Sequence, residues 1–280
     1  MNPQEIERII FKRYPDAKLI KTGGQKAVFL IKHPKYGQSV LKIGECTTPK
    51  SLERISREVN TLREIDSPYY PKNYEFEIFD KNKFLIIEQY VDSKTLTDCM
   101  SNFFRPLQAL SLLSELVNGL NILWDKQIVH RDIKPDNLLI TTTGKVIIID
   151  LGIARLLLLE SVTESNLPSG PATPNYAAPE QLKNRKAMID PRTDQFNLGI
   201  VTLQLLLKGK HPFDPRVVGE GSSIVENILA GRYHSEIFDD KEYLPMKPLI
   251  VKLLGSEPFM RFRNIDTLIE LIKQTAGEMK

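Results

Sequence analysis

The amino-acid sequence predicts an α+β fold, in which an antiparallel, strand-rich first third is followed by a mostly helical remainder. Short strand-like segments separated by turn residues fill the chain to about residue 90. Apolar side chains then recur at helical spacing from Pro106 to Trp124, which is typical of a helix that lies in a core. A polar cluster at residues 130–150 follows this helix and has the clearest chemical character of the chain.

The composition predicts one sizeable globular domain. Of the 280 residues, 41% are apolar and 26% are charged, which is ordinary for a folded domain. This length can bury a large core, so we predict a single domain over residues 1–280. Basic residues number 38 and acidic residues 35. Because these charges nearly balance, no nucleic-acid-binding surface is expected.

Cysteine usage and hydropathy indicate a cytoplasmic protein. Cys46 and Cys99 lack the CxxC spacing of zinc sites, and free thiols are typical of a reducing compartment. No apolar run approaches the roughly 18 residues that would cross a bilayer. The first ten residues, MNPQEIERII, are acidic and amphipathic rather than signal-like. We therefore expect no membrane segment.

The amino-terminal part alternates between helix, strand and turn signals. Residues 3–13 predict a short helix that carries Ile6, Ile9 and Ile10 on one side. A second helix is predicted over residues 49–65, from apolar residues at helical spacing. Strands are predicted at residues 18–21, 27–33, 39–43, 74–79 and 83–90. Short turns join the first three, which predicts an antiparallel meander.

The carboxy-terminal part predicts helices and one hairpin. Two apolar strands, residues 138–141 and 145–149, are joined by a Thr-Thr-Gly turn. The predicted helices cover residues 97–104, 106–124, 194–207, 224–230, 249–254 and 265–273. No internal repeat or long linker separates these elements, in agreement with a single domain.

The polar cluster suits phosphoryl transfer. It consists of HRDIKPDN at residues 130–137 and DLG at residues 150–152, at the two ends of the predicted hairpin. Asp132 is a candidate base for an acceptor hydroxyl, and Lys134 can neutralise charge on the transferring group. Asn137 and Asp150 offer the oxygen ligands that Mg²⁺ prefers.

These segments resemble the catalytic loop and the metal-binding turn of eukaryotic-type serine/threonine protein kinases. Further similarities are the APE motif at residues 178–180, DQFNLG at residues 194–199 and EPFMR at residues 257–261. The resemblance covers residues 17–273 and suggests the bacterial branch of the family. It implies a bilobal fold, with a β-rich first lobe to about residue 90 and a helical second lobe from about residue 91. The lysine in HRDIKPDN is the serine/threonine-kinase form, and Leu151 replaces the usual phenylalanine.

The resemblance also implies a nucleotide site. Lys42 would contact the inner phosphates and pair with Glu58, sixteen residues later in the predicted helix. Each has an alternative reading as a solvent-facing charge. The glycine-rich loop corresponds to Gly23 and Gly24 before Val28, but only the middle glycine of the usual three is present.

The adenine contacts are assigned to the segment between the lobes. The resemblance gives Gln89 and Val91 backbone contacts to adenine and adds Leu139 to the nucleotide site. Glu88 then takes the gatekeeper position behind adenine, although a shift by one residue would place Ile87 there.

Downstream motifs imply structural and regulatory roles. Asp194 would hold the catalytic loop, and Arg261 would pair with Glu180. The segment Ser161–Thr173 is rich in hydroxyl side chains, so autophosphorylation there is expected to order it through Arg131.

The predicted function is Mg²⁺-dependent transfer of the ATP γ-phosphate to serine or threonine hydroxyls of a protein substrate. Two alternatives remain at this stage. A pseudokinase scaffold is favoured by the glycine-poor loop and by Val40, which is bulky for the adenine site. A small-molecule kinase of the aminoglycoside or choline type would share the Asp and Asn chemistry, but usually lacks the APE motif.

Overall fold

The structure is a computed structural model that describes residues 3–22, 26–46, 52–53, 55–56, 59–60, 63–79, 82–150 and 174–279. The chain divides into two compact units. Among the described residues, those up to Asp92 belong to the first unit and those from Ser93 onward to the second.

The first unit is a five-stranded antiparallel sheet with a helix before it. Its elements are α1 (Pro3–Arg13), β1 (Lys18–Thr22), β2 (Lys26–His33), β3 (Gly37–Glu45), β4 (Asn73–Phe79) and β5 (Lys83–Gln89). The strand order is β1-β2-β3-β5-β4, which confirms the predicted meander. The described positions between 52 and 63 are helical, as predicted. Because this helix separates β3 from β4, the sheet continues from β3 to β5 rather than to the next strand in sequence.

Both faces of this sheet are covered by apolar side chains, because successive strand residues point to opposite faces. On one face, Ile10 and Tyr14 pack with a buried cluster from β2, β3 and β5 that includes Phe29 and Leu41. On the other face, residues 55 and 59 of the helical segment pack with a second cluster. That cluster comprises Cys46, Ile55, Val59, Phe84 and Ile86.

The amino-terminal helix is therefore part of the core of the first unit. We expect Ile10→Ala to lower the free energy of unfolding by about 2–4 kcal/mol, because Ile10 is only 1% exposed and its removal leaves a cavity. Urea denaturation measures this change. The exposed neighbour Lys12 gives the control, Lys12→Ala, which should change the free energy by less than about 0.5 kcal/mol. Equal effects of the two substitutions would contradict the packing described.

The second unit is mainly helical and contains one three-stranded sheet, in the order β6-β7-β8. Its strands are β6 (Ser93–Thr95), β7 (Leu138–Thr141) and β8 (Val146–Ile148). Its first helices are α2 (Leu96–Cys99), α3 (Pro106–Trp124), α4 (Pro179–Leu182) and α5 (Pro191–Leu206). The later helices are α6 (Pro215–Val218), α7 (Ile224–Ala230), α8 (Lys247–Leu253) and α9 (Ile265–Glu278).

The helix α5 lies at the centre of this unit and packs against α3. Every residue from Thr193 to Leu206 is buried. The helix begins at Pro191, three residues before the predicted start, because the Asp190 side chain caps it by accepting a hydrogen bond from the Arg192 N–H (2.8 Å). The predicted helix over 97–104 is instead α2 followed by a 3₁₀ turn, Met100–Phe103.

Within the described residues, no helix combines the length and the hydropathy that crossing a bilayer requires.

One histidine of the second unit is enclosed by aromatic rings. The His211 ring meets the Tyr176 ring edge-on, with centroids 5.1 Å apart. Its Nδ1 accepts a hydrogen bond from the Phe213 N–H (3.3 Å). Burial lowers the pKa of His211 to about 4, because the imidazolium form would lose its hydration there.

We expect this histidine to destabilise the fold in acid. In the unfolded chain its pKa is about 6.5, so on acidification the unfolded state binds a proton first and stability falls from about pH 6.5 down to about pH 4. The loss from His211 between about pH 7.5 and about pH 5 should be about 2 kcal/mol. Denaturation across this range should show a weaker pH dependence for His211→Asn, which retains an acceptor for the Phe213 N–H. An unchanged pH dependence would contradict the assignment.

Candidate active site

The catalytic loop is attached to the core by one buried carboxylate. Asp194 is 0% exposed and accepts hydrogen bonds from the Trp124 indole N–H (2.9 Å) and from the backbone N–H groups of His130 (2.9 Å) and Arg131 (2.7 Å). Burial raises the pKa of this carboxyl, and the hydrogen-bond donors act against that rise. The expected bracing role of Asp194 is therefore present in the structure.

His130 supports the loop from inside. The ring is fully buried. Its Nδ1 accepts a hydrogen bond from the Asp132 N–H (3.3 Å), so Nε2 carries the proton and donates to the Ile149 carbonyl (3.0 Å). Burial lowers the pKa of His130, in keeping with this neutral tautomer. His130 thereby links the catalytic loop to the strand that precedes Asp150.

Three predicted site residues meet at Asp132. The Lys134 Nζ lies 2.9 Å from Asp132 Oδ2, and the Asn137 Nδ2 donates to the same oxygen (2.8 Å) and to the Asp132 carbonyl (2.8 Å). These contacts fix the carboxylate and occupy Oδ2. Within the described part of the chain, Oδ1 has no bonded partner, so it is the oxygen that can receive the proton of a hydroxyl.

The same contacts set the orientation of the Asn137 side chain. Both groups that meet its amide are acceptors, so the NH₂ must face them and the carbonyl Oδ1 must point away. The Ile149 backbone N–H donates a hydrogen bond to the backbone carbonyl of Asn137 (3.0 Å). This bond holds Asp150 next to the start of β7. Two oxygen ligands of this kind suit Mg²⁺ when phosphate and water oxygens complete its shell.

The described residues contain no cluster of three or more histidine, cysteine or acidic side chains suited to a metal ion. The backbones of Arg131 (φ +69°) and Asp150 (φ +59°) are left-handed, which costs about 1 kcal/mol or more for a non-glycine residue. Such strain is typical of functional loops.

Leu139 lies beside this cluster in the small sheet. Its backbone pairs with Thr95 on one side and with Ile147 on the other. Leu138 and Ile140 are buried, whereas Leu139 is only half-buried. It therefore lies on the more open face of the sheet, in keeping with its predicted contact with a ligand.

In the first unit, Lys42 contacts an acid that the sequence did not indicate as its partner. The Lys42 Nζ lies 2.5 Å from Glu88 Oε2, and both side chains are about 10% exposed. Val28 is the register partner of Lys42 on β2. The predicted partner Glu58 lies outside the described residues, as do Gly23 and Gly24.

The backbone hydrogen bonds at the end of β5 limit which atoms of Gln89 could contact adenine. The Gln89 N–H donates to the Lys72 carbonyl (2.8 Å), and the Gln89 side-chain oxygen accepts from the Lys72 N–H (3.3 Å). A backbone contact from Gln89 to adenine would therefore use its carbonyl oxygen. Val91 is half-buried and follows the end of β5.

The APE motif is fixed by a buried ion pair. Arg261 donates to both Glu180 oxygens, at 2.7 Å and 2.9 Å, and both side chains are fully buried. The Thr193 hydroxyl also donates to Glu180 (2.8 Å). The predicted pairing of Glu180 with Arg261 is confirmed.

Sequence reasoning missed one link between this motif and the catalytic loop. The Gln181 amide donates to the Arg131 carbonyl (3.0 Å), and its oxygen accepts from the Ala178 N–H (3.0 Å). Nothing in the local sequence distinguishes this glutamine from a surface residue. The segment Ser161–Thr173, where phosphorylation is predicted, lies outside the described residues.

The anchored catalytic loop, the Asn–Asp oxygen pair and the APE–arginine ion pair define the catalytic scaffold of the protein kinases. The family model described as "Protein kinase domain" matches residues 14–270. The chain belongs to this family.

Curated relatives are named as bacterial serine/threonine kinases. The serine/threonine-protein kinase PrkC of Bacillus subtilis is 28% identical over 279 residues, which cover 96% of this chain and 41% of that protein. The serine/threonine-protein kinase PknA of Mycobacterium tuberculosis is 31% identical over 224 residues, covering 76% of this chain and 50% of that protein. The chain thus matches half or less of the length of these relatives.

The anchoring role of Asp194 is open to direct test. We expect Asp194→Asn to lower the free energy of unfolding by about 2–4 kcal/mol, because the amide NH₂ would face N–H donors in a buried site. Chemical denaturation measures the loss. The exposed helix residue Asp266 provides the matched substitution, Asp266→Asn, for which a much smaller loss is expected. Comparable losses in the two variants would show that Asp194 is not an anchor.

Proposed function

We propose that this chain forms one ATP- and Mg²⁺-dependent protein kinase domain, which phosphorylates serine or threonine hydroxyls. The observation that carries the proposal is the fixed Asp132 carboxylate, with one oxygen held by Lys134 and Asn137 and the other directed to no described partner. Membership of the protein kinase family and the names of the relatives support the same activity.

The catalytic step follows from the geometry of this cluster. Asp132 Oδ1 accepts a hydrogen bond from the substrate hydroxyl, which orients that oxygen for attack and provides an acceptor for its proton. Lys134 stands beside the same carboxylate and neutralises negative charge that develops on the transferring phosphoryl group. Because Asp132 and Lys134 belong to one short loop and lie 2.9 Å apart, we infer that both act on the same reacting centre.

The nucleotide and its metal are assigned to the residues expected from the sequence. Bound Mg²⁺ would neutralise charge on the phosphates, with Asn137 and Asp150 as its protein ligands. The residues proposed to contact or position ATP are Gly23, Gly24, Val28, Lys42, Glu58, Gln89, Val91 and Leu139. Among these, Lys42 supplies the cation for the inner phosphates.

The substrate and the cellular location of the protein are also proposed. A protein with an accessible serine or threonine is the proposed acceptor, and the hydroxyls of Ser161–Thr173 are proposed autophosphorylation sites. The near balance of charge offers no surface for nucleic acid. A cytoplasmic location is proposed because Cys46 and Cys99 are buried and form no disulfide among the described residues.

A scaffold without catalysis is the second candidate. The observation in its favour is that the ammonium of Lys42 already contacts the buried Glu88, in a chain with a glycine-poor loop and with Val40 opposite Glu88 in the sheet register. A small-molecule kinase is less well supported, because the buried Glu180–Arg261 pair belongs to the APE segment typical of protein kinases.

The activity is tested with labelled ATP, Mg²⁺ and a generic protein substrate. We expect Asp132→Asn and Lys42→Met each to reduce phosphoryl transfer by about 100-fold or more, since the first removes the base and the second removes the phosphate cation. The control is Asp136→Asn, which changes an exposed acid of the same loop that accepts a hydrogen bond from the Thr97 hydroxyl (2.9 Å). This variant should keep wild-type activity.

Wild-type protein that transfers no label, and whose melting temperature does not rise with ATP and Mg²⁺, would overturn the kinase proposal. Nucleotide binding without transfer would instead favour the scaffold. Mass spectrometry of the labelled protein locates any autophosphorylation within Ser161–Thr173.

A further inference from the structure

We propose that Glu88 is a positioning residue for the nucleotide site, and that its carboxylate holds the ammonium of Lys42 from within the sheet. The inference rests on the proposed function, because it assigns Lys42 to the phosphates of ATP. It differs from the expectation drawn from sequence, in which the acid that fixes Lys42 comes from the helix containing Glu58.

The strand register brings the two side chains together. On β3 and β5, Val40 is paired with Glu88 and Lys42 is paired with Ile86. Glu88 and Lys42 are therefore diagonal neighbours on one face of the sheet, a spacing that long side chains bridge. The resulting contact joins Lys42 Nζ to Glu88 Oε2 at 2.5 Å.

Burial makes this contact energetically important. The side chains of Lys42 and Glu88 are 9% and 10% exposed, so neither charge is fully hydrated. A buried charge without a partner is strongly unfavourable. The contact with Glu88 therefore compensates part of the cost of burying the Lys42 ammonium.

The position of this acid is set by the sheet alone. The strands β3 and β5 are paired continuously from Ser39–Gln89 to Glu45–Lys83, so the distance between Lys42 and Glu88 depends on strand register. No movement of a second element is needed to form the pair. The ammonium has three N–H donors, and the contact with Glu88 occupies one of them.

This arrangement predicts how Lys42 reacts when the carboxylate is removed. Glu88→Gln keeps the size of the side chain and removes its charge. Without the carboxylate the ammonium loses this ionic contact, so acylation of Lys42 by a soluble amine reagent should rise on the order of tenfold. Peptide mass spectrometry measures this rate in the absence of nucleotide.

The same assay reports on nucleotide binding. Bound ATP and Mg²⁺ should protect Lys42 from acylation, and the ATP concentration for half-maximal protection should rise on the order of tenfold in Glu88→Gln, because the ammonium is no longer held in place. The control is Glu77→Gln on β4, which removes a carboxylate that pairs with Arg13 (2.6 Å) in the same unit. This control should match the wild type in both measurements.

Three outcomes would overturn the proposal. Unchanged acylation of Lys42 in Glu88→Gln would show that the carboxylate does not hold the ammonium. Tighter ATP binding in this variant would show that Glu88 competes with the phosphates rather than positioning Lys42. If ATP does not protect Lys42 from acylation in the wild-type protein, the proposed contact between Lys42 and the nucleotide is wrong. This result needs no variant, so it is distinguishable from a failure of the Glu88 proposal.

If Glu88→Gln does not fold, a double-mutant cycle on the melting temperature tests the same contact. Glu88→Met should lower the melting temperature, and the double variant Lys42→Met with Glu88→Met should recover part of the loss, because two apolar side chains then replace the contact between opposite charges. Recovery supports the pair. Additive losses from the two single substitutions would overturn it.

Discussion

The structure of the second unit depends on one buried carboxylate. Asp194 receives three N–H donors, one from the end of α3 and two from the catalytic loop. Its own helix, α5, is buried along nearly its whole length, so the carboxylate is a fixed point. The loop residues that approach it include Arg131, whose left-handed backbone needs such a restraint. Chemistry at Asp132 is therefore positioned by a residue sixty-two places later in the chain.

Two buried ion pairs hold the candidate site in different ways. The Arg261–Glu180 pair is bidentate and fully buried, which fixes the APE segment in one geometry. The Lys42–Glu88 pair lies within a sheet and uses a compact ammonium with further donors. Since buried ion pairs add little net stability over apolar side chains, both are better explained by the geometry they impose. The Arg261–Glu180 pair fixes the scaffold of the second unit. The Lys42–Glu88 pair contains the lysine that is proposed to contact the nucleotide.

Much of the fold and part of the site follow from local sequence patterns. Helical periodicity located α3 and α7 to the residue, and the apolar runs around turn residues located every strand except β6 within about two residues. The strand β6 is short and polar, so no such run marks it. The catalytic loop could be predicted from the sequence because its residues are close together in the chain. The Lys42–Glu88 pair could not be predicted from the sequence. Its two residues are forty-six positions apart in the chain, and only the register of β3 and β5 brings them together. The Gln181 bridge likewise depends on a distant carbonyl.

The sequence by itself determined the element types, the family resemblance and the identity of the groups at the catalytic loop. Those properties depend on residue type and on short spacing, which set periodicity, turn geometry and local chemistry. Only the tertiary structure decided that Glu88 contacts Lys42, that Lys134 and Asn137 share one oxygen of Asp132, and how the amide of Asn137 is turned. Hydrogen bonds and ion pairs act over about 3 Å, and contacts on that scale between distant residues are fixed only when the chain has folded.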